Sequence, residues 1–93
     1  MIENFADSLT EAVFDGKSPK GFPADLVSVT RRKLDMLNKS RNVQDLRSPP
    51  GNRLEALRGN LEGLFSIRIN DQWRIVFRWS NGGASEVKVM DYH

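Results

Sequence analysis

The chain contains no cysteine, and its one histidine, His93, is the last residue. Without thiols there is no disulfide framework and no thiolate nucleophile, a composition suited to a reducing compartment. One histidine and no cysteine are also too few ligands for a structural or catalytic zinc site, so neither metal nor cofactor is expected. No apolar run approaches the ~20 residues of a membrane span. Met1-Ile2-Glu3-Asn4 lacks the character of a secretory signal, so the expected location is the cytoplasm, away from the membrane.

What is present is the composition of a folded protein. Hydrophobic residues make up 39% of the 93 positions, with two tryptophans and five phenylalanines. That length predicts one domain, residues 1–93, with a modest core. The net charge is only +2, but it is unevenly spread. Residues 1–30 hold two lysines against five acids, residues 31–58 hold eight basic groups against three acids, and the remainder balances at four against four. A basic middle and an acidic start suit two different partners, although Arg31-Arg32-Lys33 taken alone also fits the solvated flank of a helix.

Hydrophobic spacing changes character along the chain. Asp7-Ser8 is a helix N-cap, followed by Leu9, Val13 and Phe14 at helical spacing before Gly16. Pro23 opens a second helix, with Leu26, Val27, Thr30, Leu34 and Leu37 as its apolar stripe. Ile2 to Ala6 reads as a short edge strand, and Val43 to Leu46 as one more helical turn. From Arg53 on, the period is two. Phe65, Ile67 and Ile69 alternate with polar neighbours; so do Trp73, Ile75, Phe77 and Trp79, and then Val87 and Val89. The prediction is an α+β fold, two N-terminal helices packed on one face of a four- to five-stranded, mainly antiparallel sheet.

Strand parity turns that pattern into a candidate site. If the aromatic alternation faces the helices, Arg74 and Arg78 face away, and Ser66, Arg68, Lys88 and Tyr92 join them. Arg53 and Glu55 belong to a further strand read over Arg53-Leu54-Glu55-Ala56-Leu57, with Arg58 at its end. Guanidinium groups bind phosphate through a bidentate fork and stay charged throughout a reaction. A tyrosine beside them can stack on a base of single-stranded RNA. RNA cleavage through the 2′-hydroxyl needs a base, cations to stabilise the phosphorane, and an acid for the leaving oxygen. All three kinds of group occur here, and an unperturbed imidazole titrates near pH ~6.5, which suits His93 to proton transfer.

The segments Arg53-Leu54-Glu55-Ala56-Leu57-Arg58-Gly59-Asn60, Gly63 to Trp79 and Asp91-Tyr92-His93 together resemble the HigB-type killer proteins, plasmid-maintenance toxins of the RelE/ParE superfamily. Gly16-Lys17-Ser18 and Leu46 to Gly51 fit the same pattern, so the resemblance covers nearly the whole chain. It implies a RelE-like fold and a toxin that cuts mRNA on the ribosome. It further implies neutralisation by a helix-turn-helix antitoxin of the HigA type in a hetero-oligomer, with operator DNA bound only through the antitoxin. By this resemblance Arg74 contacts the scissile phosphate, Arg58 stabilises the transition state, and Asp91, Tyr92 and His93 complete the active site. Where some members carry a histidine, this chain has Glu55, an alternative general base. Arg53, Arg68, Arg78 and Lys88 remain as RNA contacts. The same superfamily fold also carries a different expectation, a non-catalytic ParE-like poison of DNA gyrase, and beyond it a plain RNA-binding or adaptor module.

Overall fold

The computed structural model describes residues 1–91. Asp7 caps helix α1 (Ser8–Phe14) by accepting the Thr10 amide on its carboxylate at 2.9 Å. A short 3-10 turn, Ala24–Leu26, leads into helix α2 (Val27–Lys39). The four strands are β1 (Glu55–Ala56), β2 (Leu64–Arg68), β3 (Trp73–Ser80) and β4 (Gly83–Asp91), an antiparallel meander in the order β1-β2-β3-β4. The predicted α+β architecture is therefore the observed one.

One core lies between the helices and the sheet. Val13 of α1 and Leu34 and Leu37 of α2 meet Ile67, Ile75, Phe77, Val87 and Val89, all essentially excluded from solvent. Trp73 and Trp79 pack against the margin of this cluster, with Trp73 edge-on to Phe22. Burying each large side chain contributes roughly 1.5–3 kcal/mol, so the alternation along β3 is the main determinant of which way the sheet faces.

Two turns and a bulge set the register. Asn70 Oδ1 accepts the amides of Gln72 and Trp73, closing the β2–β3 connection. Asn81 and Gly82 both adopt left-handed backbone (φ 51° and 76°), as a two-residue hairpin between twisted strands requires. Farther along β4, Glu86 is also left-handed (φ 53°), where pairing jumps from Arg78 with Ser85 to Val76 with Lys88. The extra residue lets Ala84 and Val87, three apart, both face the core.

The sequence expectation of an edge strand at Ile2 to Ala6 is corrected here. That segment makes two isolated parallel bridges, Ile2 with Ala84 and Phe5 with Val87. It still caps the outer edge of β4. Met1, Glu3, Asn4 and Ala6 exchange backbone hydrogen bonds with Ala84 and Val87, and Asn4 Oδ1 accepts the Glu86 amide at the bulge. Parallel pairing to a bulged strand cannot run as a regular ladder, so bridges replace the strand. Farther along, buried Thr10 of α1 accepts the Val89 amide on its hydroxyl at 3.0 Å. The edge is thus closed to other chains by side-chain and backbone acceptors.

The strand read over Arg53 to Leu57 is likewise shorter than expected. The β1 ladder holds Glu55 and Ala56, opposite Ser66 and Phe65, and the Leu57 amide adds one bond to the Leu64 carbonyl of β2. Arg53 instead ends a 3-10 turn (Pro50–Asn52) in the left-handed region, with φ 46°. The connection before it is pinned from inside. Asn42 and Asp45 form a capping box on the turn Val43–Arg47, and the Asn42 and Arg41 amides lower the Asp45 carboxyl pKa. Fully buried Asn52 donates to the carbonyls of Leu46 and Ser48 and accepts the Lys33 ammonium at 2.6 Å.

Replacing Thr10 by valine tests the edge. The change is isosteric and more apolar, yet it leaves the buried Val89 amide without its acceptor. A loss of about 1–3 kcal/mol is expected in a urea melt, with the native circular dichroism spectrum retained.

Candidate active site

Arg74 lies on the sheet face turned away from the helices, one residue in from the start of β3. It pairs across to Arg68 on β2 and to Met90 on β4. Like charges directly opposite one another in a sheet are destabilising. Each guanidinium accordingly has a carboxylate. Arg68 is ion-paired with Asp71 in the following turn, and Arg74 Nη2 lies 3.3 Å from Glu55 Oε1. Two cations facing each other on one surface, each balanced by an exposed acid, form an arrangement that an incoming phosphate can enter by displacing the acids.

The structure corrects one aspect of the parity argument. Arg74 does leave the helix-facing side, but it does not stand out into solvent; it is only 8% exposed. Its side chain runs diagonally over β2, donating from Nε to Ser66 Oγ at 2.8 Å and from Nη2 to the Arg53 carbonyl at 2.7 Å. The left-handed turn at Arg53 presents that carbonyl to the sheet. Val76 and Leu57, buried outside the main core, belong to the same inner layer.

The other candidates are more dispersed. Glu55 is exposed and paired to Arg74. Arg58 is exposed at the start of the short 3-10 turn Gly59–Leu61, between β1 and β2. Arg53 has an exposed side chain, so it is the backbone of this residue that enters the site. Lys88 is exposed opposite Val76 on β4. Arg78 donates to Glu86 at 2.8 Å, across the bulge. Asp91 pairs with Trp73, which places it one step out of phase with Arg74 and Met90, and it accepts Gln72 Nε2 at 3.0 Å. Tyr92 and His93 lie outside the described residues.

Two contributors were not assigned a role from sequence. Ser66 was placed on the right face by alternation, but its contact with Arg74 is diagonal and not a directly opposed pair. Lys33 reads as a solvated flank, yet it is partly buried on Asn52. Burial first, then the charges of Arg32 and Arg68, lower its pKa below the ordinary lysine value. A hollow of about 970 Å³ bounded by Phe14, Gly16, Val27 and Arg31 lies on the helical side, across the sheet from Arg74. Among the described residues no cluster of acids or histidines suits a metal ion.

Against known proteins, residues 3–93 match the family described as the RelE-like toxin of type II toxin-antitoxin system HigB. The chain belongs to the HigB-like toxin family. Toxin HigB-1 of Vibrio cholerae is 41% identical over 85 residues, covering 90% of both chains. Endoribonuclease HigB of Proteus vulgaris is 29% identical over 93 residues, covering 100% of both. In fold, the toxin is similar to the YoeB-YefM complex from Staphylococcus aureus, with a TM-score of 0.63 at 16% identity, over 100% of this chain and 98% of that one. A second such structure is titled as a heterotetrameric toxin-antitoxin complex.

The Glu55–Arg74 pair tests how the toxin holds its central charge. Glu55 is 56% exposed, so screening reduces the pair to roughly 0–1 kcal/mol. Glu55→Gln is expected to shift a thermal melt by no more than that, because Ser66 and the Arg53 carbonyl still hold the guanidinium.

Proposed function

We propose that this toxin is an endoribonuclease that arrests translation by cutting mRNA on the ribosome. The observation that carries the reading is the guanidinium of Arg74, nearly buried and directly opposite Arg68, on the sheet face that also carries the exposed Lys88. The name of the Proteus vulgaris relative supports the same activity.

The chemistry is a phosphoryl transfer within the message. The 2′-hydroxyl attacks the adjacent phosphorus as a base removes its proton. The new P–O2′ bond closes a 2′,3′-cyclic phosphate, the P–O5′ bond breaks, and an acid protonates the departing 5′-oxygen. Arg74 and Arg58 stabilise the charge that grows on the phosphorane, the group of effects that usually contributes most to such catalysis. His93 is the acid, tuned by Asp91, with Tyr92 stacking on a base or donating a hydrogen bond. Glu55 is the base, and a phosphate arriving at Arg74 competes with it for the guanidinium. Arg53, Arg68, Arg78 and Lys88 hold mRNA or ribosomal RNA, with Arg68 and Arg78 exchanging Asp71 and Glu86 for phosphate.

The partner that restrains this activity is an antitoxin, a helix-turn-helix protein of the HigA type assembled with the toxin as a hetero-oligomer. Operator DNA is contacted through that partner. The toxin acts in the cytoplasm, where ribosomes and message meet; none of the helices among the described residues is long and apolar enough to cross a membrane.

Mapping of mRNA 5′ ends in a reconstituted translation reaction tests the reading. Cleavage within ribosome-covered codons and little cutting of deproteinised mRNA are expected, since a small open face holds a strand in line poorly by itself. Efficient cutting of naked RNA would contradict ribosome dependence. Arg74→Ala is expected to slow cleavage ~100-fold, the equivalent of ~3 kcal/mol of lost charge stabilisation. Arg74→Lys keeps the charge without the fork and restores only part of the rate. Both variants need melts alongside, because Ser66 and Arg53 each lose a hydrogen bond.

A further inference from the structure

We infer that Ser66 is a positioning residue for the reaction, acting through Arg74. The inference rests on the ribonuclease reading and deepens it. Ser66 sits at the centre of β2, is fully excluded from solvent, and stands between Glu55 on one side and Val76 on the other. A hydroxyl in such a position needs a polar partner, and Arg74 Nε supplies one at 2.8 Å. The Ser66 carbonyl lies a further 3.5 Å from Nη2, and the Arg53 carbonyl takes a stronger bond from the same nitrogen at 2.7 Å.

The geometry has a chemical consequence. A guanidinium is planar, so fixing the Nε–Nη2 edge at two acceptors fixes the plane of the whole group. With it is fixed the direction in which Nη1 donates. A lone arginine on a strand would sample several rotamers over the open face, and each phosphate contact would have to restrict it again. Here one hydroxyl and one carbonyl have already done so. Serine also suits the position by size. Arg74 lies diagonally across β2, and a longer side chain at position 66 would occupy the space over which its stem passes. Glu55 contributes little to this orientation because it is half exposed and a phosphate can replace it.

Ser66→Ala removes the Nε acceptor and no charge. In ribosome-programmed cleavage it is expected to lower kcat by about 10- to 100-fold, the scale of a small misplacement of a reacting group. KM for the programmed ribosome should stay within about twofold, since exposed cations supply most of the binding. Ser66→Thr, which keeps the hydroxyl, should recover most of the rate. The loss should vanish in an Arg74→Ala background, because a residue acting through Arg74 has nothing to position once it is gone. Independently of activity, the Arg74 Nε–H resonance of arginine-labelled toxin should be slow to exchange in wild type and lose its protection in Ser66→Ala.

An unchanged kcat in folded Ser66→Ala would overturn the inference. So would a loss that adds in full to that of Arg74→Ala, or an Nε–H resonance unaffected by the substitution. If wild type cut no message on ribosomes, the ribonuclease reading itself would fall. The resonance would then still decide whether Ser66 holds Arg74.

Discussion

A guanidinium cannot be taken almost wholly out of water unless its donors find acceptors. Around Arg74 that requirement determines much of the architecture on the open side of the sheet. Among the described residues, acceptors come from three separate pieces of chain: the Ser66 hydroxyl at the centre of β2, the Glu55 carboxylate on β1, and the Arg53 carbonyl in the turn before it. The third is available because Arg53 adopts left-handed backbone, which costs a non-glycine residue roughly 1–2 kcal/mol. Asn52 next to it is buried and bonded to the Leu46 and Ser48 carbonyls and to Lys33, so α2 and the loop together hold the turn in place. The charge at the centre of the site is thus supported from the helical layer as well as from the neighbouring strands.

The other constraint is the edge of β4, the strand that leads to the C-terminal residues. Backbone groups on that edge would be open to any passing chain, and an unsupported terminal strand would fray. Both problems are met by the N-terminal segment. Residues 1–6 bridge to Ala84 and Val87, the Asn4 side chain accepts the bulge amide, and Thr10 accepts the Val89 amide. The beginning of the chain therefore holds the end of it in register with β3. Asp91 reaches its place opposite Trp73 at the end of a strand whose outer edge is held at Ala84, Glu86, Val87 and Val89.

This division of labour also describes how the toxin separates stability from activity. Leu34, Leu37, Ile67, Ile75 and Phe77 stabilise the fold on one face, and nothing catalytic lies among them. The opposite face carries Arg68 and Arg74 directly opposed. Asp71 and Glu55 offset that like-charge contact within the protein itself. The chain belongs to a family of toxins from type II toxin-antitoxin systems, and the proposed activity is placed on this second face.

Helix positions and strand parity were legible in the sequence, because period and capping chemistry are local. Asp7 before an apolar helix and the aromatic alternation on β3 both lie within a few residues of what they control. That parity assigned Arg74, Arg68, Ser66 and Lys88 to one face without any coordinates. Three other features were decided only when distant segments met. The Ile2 to Ala6 segment forms bridges and not a strand because its partner is bulged at Glu86, 80 positions or more farther along the chain. The strand expected at Arg53 to Leu57 shrinks to two residues because the buried Asn52 forces a turn just before it. Arg74 is covered and not exposed because its acceptors lie on other strands, diagonal to it or one strand beyond, and no spacing within β3 can encode them. Alternation determines which face a side chain leaves by; only tertiary contact determines how far it gets and what holds it there.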